Sequence, residues 1–161
     1  MIFRPAKSEE IDQLFREGYK VWHKDRTFGQ HRTENAKEDA YGTRYVIEDK
    51  KQVVSSLILL KLKAIDGKKV YGIGSVLTPP EYTHKGYATA LLENCIRLID
   101  IRDALIFLYS EVAPAFYGRF GFRILPADLQ KETDSICMVL CEDDMWNVLI
   151  QSGIDLIPDH F

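Results

Sequence analysis

Residues 83–89 read T-H-K-G-Y-A-T, between the apolar run Y-G-I-G-S-V-L-T-P and the pattern A-L-L-E-N-C-I. If the second run is a helix, the turn presents first-turn amides and the positive end of a helix dipole. That is a natural setting for an anion such as phosphate. Gly86 lets a phosphate approach the backbone closely, Ala88 keeps the first turn free of bulk, and Lys85 adds positive charge. The same composition also suits a plain strand-to-helix connection. A second stretch, A-P-A-F-Y-G-R-F-G-F, places Tyr117 on a short helix with proline at its start, ahead of Gly121 and Phe122. The three cysteines, Cys95, Cys137 and Cys141, fall on apolar patterns with no metal-ligand partner at useful spacing, so no metal is expected.

The elements that must position these stretches can be read in order. Residues 2–6 read as an opening strand. Ser8 is expected to cap a helix whose Glu9 and Glu10 suit its positive end. Ile11, Leu14, Phe15, Gly18 and Trp22 then recur at helical spacing. The polar stretch H-K-D-R-T-F-G-Q-H-R-T (23–33) reads as a loop, followed by a short helix over 35–41. Segments 44–48, 53–63 and 70–78 are rich in Val, Ile and Leu, with D-K-K and I-D-G-K-K as turns, which predicts an antiparallel meander.

Gly72 and Gly74 inside the last of these strands mark a bulge or a close approach. Pro79 and Pro80 end its pairing, so the strand should splay from its next neighbour. Ala88, Leu91, Leu92, Cys95, Leu98 and Ile99 predict a helix, and 104–109 a buried strand parallel to 70–78. Strands over 122–125 and 136–141 and a helix near 145–150 complete the chain, which has no internal repeat or linker. The expected fold is α/β (α+β): one domain over 1–161 with a mixed central sheet of about six to seven strands, splayed between the fourth and fifth.

Composition narrows the function classes. The 161 residues carry a net charge of −3, with 46% hydrophobic and 28% charged residues, which argues against a general nucleic-acid binder. No apolar run is long enough to span a bilayer, and M-I-F-R-P-A-K lacks a signal-peptide core, so a protein with no membrane partner is expected. Few cysteines, odd in number, favour reduced thiols and a cytoplasmic location.

The two stretches flank one βαβ unit, and together the chain resembles the GNAT superfamily of acetyl-CoA-dependent N-acetyltransferases. Thr83-His84-Lys85-Gly86-Tyr87-Ala88 matches that family's Q/R-x-x-G-x-G/A loop, with Thr83 where Gln or Arg is usual. Tyr117 to Phe122 matches its Y-x-x-x-G-F element, although the asparagine common shortly before the tyrosine is missing from S-E-V-A. The resemblance covers most of the chain. It implies that the amides from His84 to Thr89 cradle the CoA pyrophosphate and that Val76 and Leu77 pair with the pantetheine arm. Val76 N–H would polarise the thioester carbonyl, and Tyr117 would protonate the departing thiolate.

An amine acceptor must be neutral to attack, so a base or a water chain is expected. Glu111 is the first candidate and His84 the second; Gly72 stands where some protein-acetylating relatives carry a glutamate. The function so implied is transfer of acetyl from acetyl-CoA to a primary amine of a small molecule or amino acid, by direct attack in a ternary complex. The segment from Leu108 to Phe122 is similar to fungal lysine N-acetyltransferases, which raises a free amino acid as acceptor. Trp22, His23, Phe28 and His31 lie in or beside a loop that in GNAT proteins often shapes the acceptor pocket, and loop surface is the plainer reading of them. Asp25, Glu34 and Glu38 are candidates to attract a cationic acceptor. Trp146 reads as a core residue or the anchor of a homodimer. The alternative is a non-catalytic acyl-CoA sensor or partner-binding module on the same fold. A general nucleotide-binding protein is disfavoured, because G-x-x-x-x-G-K-[ST] and G-x-G-x-x-G are both absent.

Overall fold

The computed structural model describes residues 1–112 and 114–161. In chain order the first elements are β1 (Ile2–Pro5), α1 (Ile11–Trp22), α2 (Phe28–Ala36), β2 (Gly42–Asp49), β3 (Gln52–Ile65) and β4 (Lys68–Leu77). Then follow α3 (Tyr87–Arg97), β5 (Ala104–Ser110), α4 (Ala115–Gly118), β6 (Arg123–Ile124), β7 (Ile136–Leu140) and α5 (Asp143–Ser152). The strands form a mixed 7-stranded sheet in the order β1-β2-β3-β4-β5-β7-β6. The chain divides into two compact units, Met1–Leu60 with Ser75–Ile96, and Lys61–Gly74 with Arg97–Phe161.

In the first unit, β1 and β3 pair antiparallel with either side of β2, from Ile2↔Glu48 to Pro5↔Tyr45 and from Gly42↔Leu60 to Asp49↔Gln52. The β2–β3 turn puts Lys50 at φ 50° and Lys51 at φ 63°, the left-handed pair that a two-residue hairpin demands. Arg4 clamps the opening of the chain. Its guanidinium donates to both carboxylate oxygens of Glu10 at 2.8 Å and to Glu48 at 2.9 Å. Glu10 also accepts from the Lys7 amide at 2.7 Å, and Ser8 lies inside a short turn (Ser8–Glu10) rather than capping a helix. A carboxylate already recruited by Arg4 has taken the capping role that the serine was expected to fill.

The stretch read as a loop over 23–33 contains α2. Thr27 Oγ1 accepts from Gln30 N–H at 3.1 Å, and Gln30 Oε1 accepts from Thr27 N–H at 2.9 Å, a capping box that starts the helix without an apolar stripe. The expected helix over 35–41 is the end of α2 followed by a short turn at Lys37–Ala40. His31 is buried in α2, not on a loop surface. Gly18 packs beside it, and a Cβ there would make ordinary contact at 3.5 Å from His31 Nε2.

In the second unit, β4 and β5 run parallel from Lys69↔Ala104 to Ile73↔Leu108, as a strand–helix–strand connection requires. β7 pairs antiparallel with β5 and with β6. Asp66 and Gly67, at φ 50° and 76°, form the β3–β4 hairpin turn. The core gathers Val70, Leu105, Phe107, Val139, Met145 and Leu149, with Trp146 packed against it under the Arg123 guanidinium, 4.3 Å from the ring centroid. Burial pushes the Cys137 thiol up to about 12, an inert core group. Two predicted elements are shorter than expected: α3 stops at Arg97, leaving Leu98 53% exposed, and β6 is confined to Arg123–Ile124. No helix among the described residues is long and apolar enough to cross a membrane.

Candidate active site

The first unit holds the end of β4 and the turn into α3. The β4–β5 register closes at Ile73↔Leu108, although β4 continues to Leu77. Ser75 has φ 50°, a left-handed angle inside a strand and uncommon for a residue with a Cβ. Beyond it, Ser55 Oγ donates to the Leu77 carbonyl at 3.3 Å and shares a hydrogen bond with Thr78 Oγ1 at 2.8 Å. Ser55 thus ties the end of β4 to β3.

Pro79 and Pro80 end the strand, and a short turn (Pro80–Tyr82) closes with Tyr82 N–H on the Pro79 carbonyl at 2.9 Å. Thr83 spends its hydroxyl on the Pro80 carbonyl at 2.8 Å, so it offers the turn its backbone alone. His84 at φ 63° and Gly86 at φ 81° bend the chain into α3, whose first bond runs from Ala90 N–H to the Gly86 carbonyl at 3.0 Å. The amides of Tyr87 and Ala88 precede that bond and point out of the helix end. A Cβ on Gly86 would meet no atom within 4 Å, and Lys85 is exposed beside it. The Tyr87 hydroxyl donates to the Asp49 carboxylate, which anchors the start of α3 to the end of β2. With first-turn amides and Lys85, this turn has the chemistry of an anion site.

The same unit contains an open groove of about 460 Å³ lined by Glu9, Glu10, Gln13, Glu17, Glu81 and Leu77, among others. Glu10 is neutralised by Arg4, and Glu17 pairs with Lys20 at 3.2 Å. Of the residues expected to attract a cation, Glu34 pairs with Arg26, Asp25 lies in a turn at φ 60°, and Glu38 is half-buried, which pushes its carboxyl pKa up. His31 Nδ1 lies 3.2 Å from both Arg26 Nη2 and Asn35 Nδ2. Both neighbours are donors, so Nδ1 is an acceptor and the ring is neutral. Burial pushes its pKa below the usual imidazole range, as does Arg26.

The second unit holds Tyr117 and Glu111. Tyr117 is 7% exposed, edge-on to Phe116 at 5.1 Å and to Phe122 at 6.3 Å. Burial pushes its phenol up to about 12, with the Glu111 carboxylate adding to the shift. Glu111 follows β5 directly, and its Oε1 lies 3.9 Å from His160 Nε2. The His160 ring is 5.0 Å from that of Tyr109. The Phe161 ring lies over Gly72, where a Cβ would come 2.7 Å from Phe161 Cζ. The close approach foreseen at this glycine is therefore a side chain's.

The turn residues Thr83, His84, Lys85, Gly86, Tyr87, Ala88 and Thr89 share one unit with Val76 and Leu77; Glu111 and Tyr117 share the other. His160 and Phe161 are absent from the expected site because no local pattern ties residues near 160 to Gly72 or Glu111. Nor does the sequence around Ser75 signal its left-handed angle beyond the glycine before it.

Residues 3–125 match the family model described as Acetyltransferase (GNAT) domain. No curated protein matches the chain in sequence. Among solved structures, the chain is similar to Arabidopsis thaliana Naa50 in complex with the bisubstrate analogue CoA-Ac-MVNAL. That similarity has a TM-score of 0.68 and 15% identity, and covers 88% of this chain and 98% of that one. It is similar also to an aminoglycoside 6'-acetyltransferase type Ii, with TM-score 0.67 and 15% identity over 88% of this chain and 97% of that one. A third is a conserved Enterococcus faecalis V583 protein described as a probable N-acyltransferase, with TM-score 0.66 and 17% identity. There the match covers 76% of this chain but only 32% of the other, so this chain spans about a third of that protein. At these identities the likeness is one of fold.

Proposed function

Because the chain belongs to the GNAT family of acetyltransferases, we propose that it moves the acetyl group of acetyl-CoA to a primary amine of a small molecule or free amino acid, by direct attack in a ternary complex. The observation that supports this most is Gly86, at φ 81° with open space over its Cβ direction, at the start of an 11-residue helix. Acetyl-CoA supplies the activated thioester. The amides of residues 84–89 and the Lys85 ammonium bind its pyrophosphate, with Thr83 contributing backbone only. Val76 and Leu77 align the pantetheine arm as an added strand, and Val76 N–H is the donor assigned to the thioester carbonyl oxygen.

Tyr117 is the group assigned to the leaving sulfur. A phenol held near 12 stays protonated at neutral pH. It is therefore available as the proton donor to sulfur as charge develops there. In the groove, which Lys51 also lines, Glu9 and Glu81 are the carboxylates that support a cationic acceptor.

Thiol release from acetyl-CoA, followed with a panel of amines alongside calorimetric CoA binding, tests this function. Tyr117→Phe is expected to lower kcat by about 10²-fold while CoA affinity stays within twofold. CoA binding with no turnover on any amine favours the non-catalytic sensor, and no CoA binding removes both.

A further inference from the structure

The amine that attacks a thioester arrives as an ammonium and must lose a proton. In the unit that holds Tyr117, the segment 157–161 places an imidazole next to the Glu111 carboxylate. Ile157 is buried in the core. Lys131 Nζ donates to the Ile157 carbonyl at 2.6 Å and to Asp159 at 2.9 Å. The Tyr109 hydroxyl donates to the Pro158 carbonyl at 2.5 Å, and the Phe161 ring closes on Gly72 and stands edge-on to Tyr109 at 5.5 Å. The backbone is thus held on both sides of His160, while its side chain stays 33% exposed and that of Glu111 40% exposed. The charged and titratable groups around this ring are Glu111 and Tyr109, with the Lys131–Asp159 pair one residue back along the chain.

We propose that His160 is the base that takes the proton of the acceptor ammonium, with Glu111 stabilising the imidazolium that results. This rests on the acetyltransferase function above. An imidazole suits the task better than a carboxylate, because its ordinary range, near ~6.5 rather than ~4.3, matches neutral pH. With Nε2 turned to Glu111, the Nδ1 lone pair is the acceptor. The ammonium N–H bond breaks with its electron pair left on nitrogen, and the proton passes to Nδ1. That pair then forms the bond to the thioester carbon, the C–S bond breaks with its electrons leaving on sulfur, and the second N–H proton, shed as the amide forms, makes good the one that Tyr117 gives to sulfur, so that CoA leaves as the thiol. Gly72 fits this arrangement. A longer side chain there would displace the Phe161 ring that holds the segment in place.

The test compares kcat/KM against pH for the wild-type protein, His160→Gln and Glu111→Gln. It uses thiol release from acetyl-CoA with L-lysine, spermidine, kanamycin and a pentapeptide with a free N-terminus. His160→Gln is expected to lose about 10²-fold in kcat/KM at neutral pH and its ascending acidic limb, with partial rescue of His160→Ala by added imidazole. Glu111→Gln is expected to keep the limb and lose about tenfold in kcat/KM, because the imidazolium loses its carboxylate. A limb unchanged in His160→Gln overturns the assignment. If His160→Gln does not fold, the imidazole response of His160→Ala decides alone: rescue supports the base, and no rescue overturns it. Absence of thiol release by the wild-type protein with every amine overturns the acetyltransferase function itself, a different result from an active protein whose profile ignores His160.

Discussion

Gly86 and Gly72 are both glycines at sensitive places, yet they are glycine for different reasons. At Gly86 the constraint is the angle: φ is 81° and a Cβ would meet nothing within 4 Å. At Gly72 the constraint is room, since a Cβ would press on the Phe161 ring at 2.7 Å. Gly86→Ala is therefore expected to lose about 1 kcal/mol of stability in denaturant titrations and to weaken CoA binding about tenfold by calorimetry, because the methyl projects where the pyrophosphate is proposed to lie. Unchanged affinity would separate the turn from CoA. Sequence marks both glycines, but it does not say which is dihedral and which is steric.

Among the elements, the strands were legible and one helix was not. Runs of Val, Ile and Leu bounded by D-K-K and I-D-G-K-K announce β2, β3 and β4, because β-branched side chains favour the pleat, and Asp66 and Gly67 tolerate the left-handed angles that Lys50 and Lys51 adopt without such a preference. α2 carries no apolar stripe and includes Gly29, so periodicity is silent there. Its signal was the T-x-x-Q capping box at Thr27 and Gln30, which needs no buried face. Thr27→Ala is expected to cost about 1 kcal/mol in thermal or denaturant unfolding. It should also loosen the His31 packing, visible as faster amide exchange in α2.

For the molecule as a whole, acid is the vulnerable direction, and the weak points lie in the unit Met1–Leu60 with Ser75–Ile96. The Arg4 guanidinium holds the Glu10 carboxyl down to about 2, from 4.5. The unfolded chain therefore binds the proton more tightly, and stability falls as pH drops from about 4.5 toward 2. Buried His31, depressed below 6.5, has the same sign and begins to cost stability as pH falls below that value. Glu10→Gln is expected to lose about 1 kcal/mol at pH 7, allowing for the partial exposure of the pair. It should also flatten the decline below pH 4.5, as measured by urea unfolding at pH 7 and 3.5.

The succession of strands, the hairpin turns and the strand-to-helix turn at 83–89 were determined by the sequence alone. Each depends on residues adjacent in the chain, whose φ preferences, side-chain period and capping groups act locally. Tertiary structure alone decided which distant side chains share space: Tyr87 on Asp49, Phe161 on Gly72, His160 beside Glu111. Those contacts follow from strand register and from how the core is filled, and they join positions between which no local pattern runs.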